Sequence, residues 1–170
     1  DYVPGNIRMR RETLGGCIYD LGVYCSSLIL RILNKEPEKI QAVSTFSPEG
    51  IDLYTTVLME YDNGAKANFV CGMVLATEKN ACLDRFQIHG TLGSVESVEF
   101  GFNAPGELSY RIRTFDGTDE VRTVSVPQNY RLEVEQMGRC ITESGTPAVS
   151  EAFSLKNAGI IDRILKEIDY

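Results

Sequence analysis

Asn63-Gly64 stands between two runs rich in aliphatic, aromatic and β-branched residues, 51–61 and 65–75. An Asn-Gly pair tolerates positive φ, and between two strand-like runs it is the strongest hairpin signal a sequence carries. An antiparallel pair is therefore expected, and with it a sheet. Alternation puts Leu53, Val57, Met59 and Tyr61 on one face of the first strand and Tyr54, Thr56 and Leu58 on the other. Neither face is strongly polar, whereas an antiparallel strand with one side in water alternates more cleanly. Both sides of this sheet should meet something: helices on one, a partner on the other.

The other elements follow from the same two periodicities. Residues 39–46 set Ile40, Ala42, Ser44 and Phe46 against Gln41, Val43 and Thr45, and Ser47-Pro48-Glu49-Gly50 ends that strand. Short strands are expected at 85–89 and 94–98, and a second hairpin at 108–115 and 120–126 around Asp116-Gly117. A first helix over 18–33 carries Ile18, Leu21, Leu28 and Ile32 at helical spacing and stops before Glu36-Pro37. Asn129 is expected to cap a helix through Leu132, Met137, Cys140 and Ile141 to about 143. Ser150 should cap a last one with Leu155, Ala158, Ile161, Leu165 and Ile168. The fold class is α+β: an open, mostly antiparallel sheet with helices packed on one face. With 170 residues, 43% of them hydrophobic, and no repeat or linker between 18 and 168, residues 1–170 read as a single domain.

Composition narrows the function classes. A net charge of −7 and a pI near 4.8 argue against nucleic acid as a partner, since phosphate contacts need a clustered basic surface. Arg111, Arg113 and Arg122 are read as a solvated stripe. Five cysteines, odd in number and without a Cys-x-x-Cys pair, suit reduced cytoplasmic thiols better than a disulfide framework or a metal site. The lone His89, in a strand, is given no role. The longest uncharged run of the first helix, 21–30, is too short to span a bilayer, so a cytoplasmic protein without a membrane partner is expected.

Residues 14–24, Leu-Gly-Gly-Cys-Ile-Tyr-Asp-Leu-Gly-Val-Tyr, carry the chemistry. Gly15-Gly16 opens the first helix and leaves a bare backbone that a flat ligand can approach. Asp20 and Tyr24, four apart, fall on one helical face about a turn from each other. The same residues also admit a structural account: a tight turn, a first-turn acid favoured by the helix dipole, and a core aromatic with a wet hydroxyl.

Asn6-Ile7-Arg8, Leu14-Gly15-Gly16 and Asp20-Leu21-Gly22-Val23-Tyr24 together resemble the start of the C-terminal domain in the glucose–fructose oxidoreductase / inositol dehydrogenase / MocA family. That family carries Gly-Gly-Gly-x-Leu-x-Asp-x-Gly-x-His or -Tyr here; Cys17 replaces the third glycine. The tyrosine ending is similar to the dihydrodiol and xylose dehydrogenase branch, which the tail from 130 to 168 also resembles. The resemblance implies that Tyr24 and Asp20 are catalytic, with Gly15, Gly16 and Arg8 at the substrate. It implies a small sugar, polyol or diol substrate and a homodimer through the open sheet face. It also implies NAD or NADP in the full-length protein.

No glycine fingerprint or alternation of parallel strands with helices occurs in this chain, so the chain is read as a fragment lacking an N-terminal Rossmann domain, with no cofactor-binding residues of its own. Glu78-Lys79 precedes Asn80 where the family's cofactor-domain motif has proline, and is read as a loop. A free phenol has a pKa of about 10 and transfers protons poorly near neutrality, so a lysine from the absent domain would have to favour the phenolate. The expected function is the substrate-binding and dimerisation domain of an NAD(P)-dependent oxidoreductase, inactive alone. The alternatives are a non-catalytic interaction or regulatory module of the same fold, and an unrelated α+β binding domain.

Overall fold

The computed structural model describes residues 5–74 and 83–170. The chain forms two compact units, Asp1–Ala76 with Val149–Tyr170, and Thr77–Ala148. The strands divide accordingly into two sheets, every pairing antiparallel, which gives the expected α+β class with the strands shared between two sheets.

In the first unit β1 (Lys39–Phe46), β2 (Asp52–Glu60) and β3 (Lys66–Gly72) lie in the order β1-β2-β3. The Asn63-Gly64 hairpin is present, with Gly64 at φ +82. Of the predicted inner face of β2, Val57, Met59 and Tyr61 are buried, with Thr55 beside them, while Leu53 is only half-buried; Tyr54, Thr56 and Leu58 lie on the opposite, open face as expected. Thr45 pairs with Tyr54 but Phe46 pairs with Asp52, so Leu53 is an extra residue and the alternation breaks there.

The first helix is not uniform. A π-helical turn, Ile18–Gly22, precedes α1 (Val23–Leu33), and the left-handed Asn34 ends it by donating its N–H to the Leu30 carbonyl at 2.8 Å. By length and composition alone the run Arg11–Leu33 is apolar enough to cross a membrane, a test that a buried core helix also passes. In the fold its Cys17, Ile18 and Leu30 enter the core instead, together with Ile40, Val57, Phe69 and Cys71 from the strands.

The last helix, α3 (Glu151–Glu167), completes that core. Ser150 Oγ accepts the Phe153 N–H at 3.2 Å, the expected cap, which contributes about 1 kcal/mol. Its buried stripe is Asn157, Ile160, Ile161, Ile164 and Leu165, continued by Ile168. Leu155 and Ala158, expected inside, are exposed: Leu155 precedes the core-facing stripe, and Ala158 falls to the side of the face defined by Asn157, Ile160, Ile161 and Ile164. Asn157 Nδ2 donates to the Val23 carbonyl at 3.2 Å, and Arg163 to the carbonyls of Pro37 and Glu38, tying α3 to the first turn of α1 and to the residues just before β1.

In the second unit β4 (Gln87–His89), β5 (Gly93–Glu99), β6 (Gly106–Thr114) and β7 (Asp119–Val126) form a meander followed by α2 (Asn129–Thr142). The α2 cap is Gln128, whose side chain accepts the Arg131 N–H at 2.9 Å; Asn129, the expected cap, is the first helical residue and donates to the Phe102 carbonyl. Leu132, Met137 and Ile141 are exposed. Arg111 and Arg113 sit on one face of the sheet and pair with Asp119 and Glu96, while Arg122 pairs with Glu120. The arginines therefore do not form a single basic stripe.

Candidate functional site

The site begins with a doubled-back N-terminal segment. Two short 3₁₀ turns, Ile7–Met9 and Arg11–Thr13, bring the chain around so that Gly15 N–H donates to the Arg10 carbonyl and Gly16 N–H to the Arg8 carbonyl, each at 2.9 Å. The Gly16 carbonyl then accepts the Asp20 N–H at 3.1 Å. With both residues held by one glycine, Arg8 Nε reaches Asp20 Oδ1 at 2.6 Å in a half-exposed ion pair. Two of the residues singled out in the sequence are thus in direct contact.

Both glycines are required by this path. A Cβ on Gly15 would stand 2.5 Å from the Arg8 carbonyl oxygen, and Gly16, at φ +110, faces the Asp52 carboxylate so closely that no side chain fits. The bare faces of the glycine pair are therefore occupied by the protein itself. From above, Tyr170 donates its hydroxyl to the Gly15 carbonyl at 2.6 Å, its ring packed edge-on to Tyr19 and covered by the Arg11 guanidinium at 4.5 Å.

Beneath the glycines lies a buried polar cluster that the sequence did not reveal. Asp52 Oδ2 accepts from Ile18 N–H at 2.8 Å and Cys17 Sγ at 3.1 Å, with Thr55 Oγ1 at 3.5 Å. Cys71 Sγ lies 3.7 Å from Cys17 Sγ. None of Cys17, Cys25, Cys71 and Cys140 is in a disulfide. Burial pushes the Asp52 carboxyl up from its ordinary value, against the lowering effect of its donors. Hydrogen bonding with Cys71, then burial, pushes the Cys17 thiol far up, which keeps it neutral.

Tyr24 stands on the first turn of α1, four residues after Asp20 and 44% exposed, not in the core. The Arg8–Asp20 pair thus presents a carboxylate and a guanidinium beside a fixed turn, and Tyr24 an exposed phenol on the helix that follows; such groups can bind hydroxyls and exchange a proton. His89 is exposed on β4. Glu78-Lys79 lies outside the described residues. No group of three metal-ligating side chains occurs among the described residues. Every described strand pair is antiparallel, and the glycine pair is filled from within.

Comparison with known proteins gives this geometry a family. The chain is 31% identical over 163 residues to an uncharacterized oxidoreductase, ORF334, of Rhizobium meliloti, covering 91% of this chain and 47% of that protein. It is 27% identical over 169 residues to D-xylose 1-dehydrogenase (NADP(+)) 2 of Haloferax volcanii, covering 96% and 49%. The chain thus spans about half the length of the curated relatives it matches. Among solved structures, KijD10, a 3-ketoreductase from Actinomadura kijaniata in complex with NADP and TDP-benzene, shares the fold with a TM-score of 0.84 at 18% identity, over 97% of this chain and 50% of that one. Residues 1–96, which hold the glycine turn, the Arg8–Asp20 pair, Tyr24 and Asp52, match the GFO/IDH/MocA C-terminal domain. The chain belongs to that family.

Proposed function

We propose that this chain is the substrate-binding and dimerisation domain of an NAD(P)-dependent oxidoreductase that acts on a hydroxyl of a sugar, polyol or diol in the cytoplasm. The observation that carries this reading is the Arg8–Asp20 pair, fixed by Gly16 at the start of the helix that presents Tyr24. In the proposed reaction Tyr24 exchanges the proton of the reacting hydroxyl, Asp20 accepts a hydrogen bond from a second hydroxyl, and Arg8 orients Asp20 and donates to substrate oxygen. The nicotinamide, bound elsewhere in the full-length protein, would supply the hydride chemistry. The xylose dehydrogenase among the relatives supports a small-molecule hydroxyl substrate.

The test is turnover by the full-length protein carrying this chain, with NAD⁺ or NADP⁺ and a panel of sugars, polyols and diols. Tyr24→Phe keeps the ring and deletes the proton-exchanging group, so the catalytic constant should fall by roughly 10²–10⁴-fold, the range typical of a general acid–base group. Retention of more than about a third of wild-type turnover would remove Tyr24 from the chemistry. Calorimetry on the isolated chain should show no saturable micromolar binding of either nucleotide. A second reading, a non-catalytic module of the same fold, is favoured by one observation: the glycine faces are filled by Arg8 and Asp52. Absence of turnover on the whole panel, with Tyr24→Phe unchanged in every binding assay, would select it.

A further inference from the structure

The π-helical turn has no cap of its own: its N-cap residue, Cys17, makes no side-chain capping bond. The first N–H groups of a helix need acceptors, and a buried helix start without them is costly. Asp52, 34 residues away on β2, provides one by accepting the Ile18 N–H at 2.8 Å. Its side chain is fully buried, its Oδ2 makes the bonds to Ile18, Cys17 and Thr55, and its Oδ1, without a hydrogen-bond partner among the described residues, faces Gly16. One carboxylate therefore caps the turn and fills the face of the residue before Cys17.

Gly16 is also the residue that holds the site together, with its N–H on the Arg8 carbonyl and its own carbonyl under the Asp20 N–H. We propose that Asp52 is a positioning residue: by fixing the Gly16–Ile18 turn from below, it sets the place of Arg8, of Asp20 and of the helix that carries Tyr24. Its role in turnover rests on the proposed function; its role in holding the turn does not. A residue that only filled core volume would be replaceable by an apolar one and would affect the whole unit alike. A positioning residue requires an acceptor at Oδ2, and its loss is felt at Gly16, Ile18 and Asp20 before anywhere else.

The experiment is amide hydrogen exchange on the full-length protein for wild type, Asp52→Ala, Asp52→Asn and Asp52→Ser, with the Ile161 and Ile164 amides of α3 as internal reference. In Asp52→Ala the Gly16, Ile18 and Asp20 amides should exchange about tenfold faster relative to that reference, the factor carried by one cap of ordinary strength. Asp52→Asn, which keeps an oxygen acceptor, should restore protection to within about threefold. Asp52→Ser, with a shorter acceptor, should fall between them and keeps the comparison available should Asp52→Ala not fold. Equal acceleration at all amides, or no change at the three, overturns the proposal. In turnover, Asp52→Ala should lower kcat about tenfold and raise KM by a similar factor, because Tyr24, Arg8 and Asp20 all shift with the turn, and Asp52→Asn should recover both. Unchanged kcat in folded Asp52→Ala overturns the positioning role in catalysis. If the wild type turns over nothing, the proposed function fails, and the exchange pattern still decides whether Asp52 holds the turn.

Discussion

Arg8 and Asp20 meet at 2.6 Å, and the backbone of Gly16 binds both of them, one through its N–H and the other through its carbonyl. The ion pair is thus a consequence of a turn, and its own contribution to stability is small. Arg8 is 53% and Asp20 29% exposed at the side chain, and solvent-screened pairs of this kind contribute at most about 1 kcal/mol. Arg8→Gln should therefore leave the denaturant midpoint nearly unchanged. It should raise the KM for the substrate about tenfold, because a charged hydrogen-bond donor is lost from the site. A large stability loss without a change in KM would assign Arg8 to the fold alone.

Gly16→Ala should act in the opposite way. The left-handed φ of +110 and the Asp52 carboxylate facing Gly16 leave no room for a methyl group, so the turn must move or Asp52 must leave its place. Backbone strain and the broken cap together should cost about 3–5 kcal/mol. Urea unfolding measures this directly. A loss below about 1 kcal/mol would mean that the turn adjusts freely, and with it the premise that Gly16 fixes the ion pair would fall.

Asp52 makes stability depend on pH in a direction that can be worked out. Burial raises its carboxyl in the folded protein above the unfolded value of about 3.9. The folded state therefore holds a proton that the unfolded state releases over that window. The associated stability is fully present below the unfolded pKa and is lost as pH rises through the folded one. Its buried neighbour Cys17 and Tyr170, both shifted upward, stay neutral across the same window. The stability of the wild type minus that of Asp52→Asn should fall as pH is raised from about 4, then level off. A difference that rises with pH would show that the cap bonds outweigh burial.

How much of this could be read from the sequence varies residue by residue. Asn63-Gly64, the two faces of β2 and the Ser150 cap were legible because each depends on local chemistry and strict periodicity. Leu155 deceived because it continues a helical apolar spacing beyond the part of α3 that meets the sheet. Gln128 is masked as a cap by its neighbour Asn129, a residue type more favoured there, although it is the Gln128 side chain that accepts the Arg131 N–H. Asp52 was invisible for a different reason. Alternation places it with outward-facing Tyr54, and only the extra residue Leu53 turns it inward to Cys17 and Ile18. Tyr170 likewise meets Gly15 across 155 residues, a contact that no local pattern announces.

The open face of the first sheet carries the last prediction. Register places Gln41, Val43 and Thr45 beside Leu58, Thr56 and Tyr54, and these beside Asn68, Val70 and Gly72, so the centre of that face is uncharged. Lys39, Glu60 and Lys66 stand together at one end of it. Val43 is 75% and Val70 48% exposed, an arrangement that alternation with water would not produce. A second copy presenting the same face would bury these residues isologously and keep like charges away from the centre. Leu58→Lys sets a charge in the middle of the patch, where its burial against a second copy would be costly. Sedimentation of the full-length protein should give a dimer for the wild type and a dissociation constant raised at least tenfold for Leu58→Lys, with the unfolding midpoint of the monomer little altered. Dimerisation equally tight in both would move the interface elsewhere and leave the apolar face to another partner.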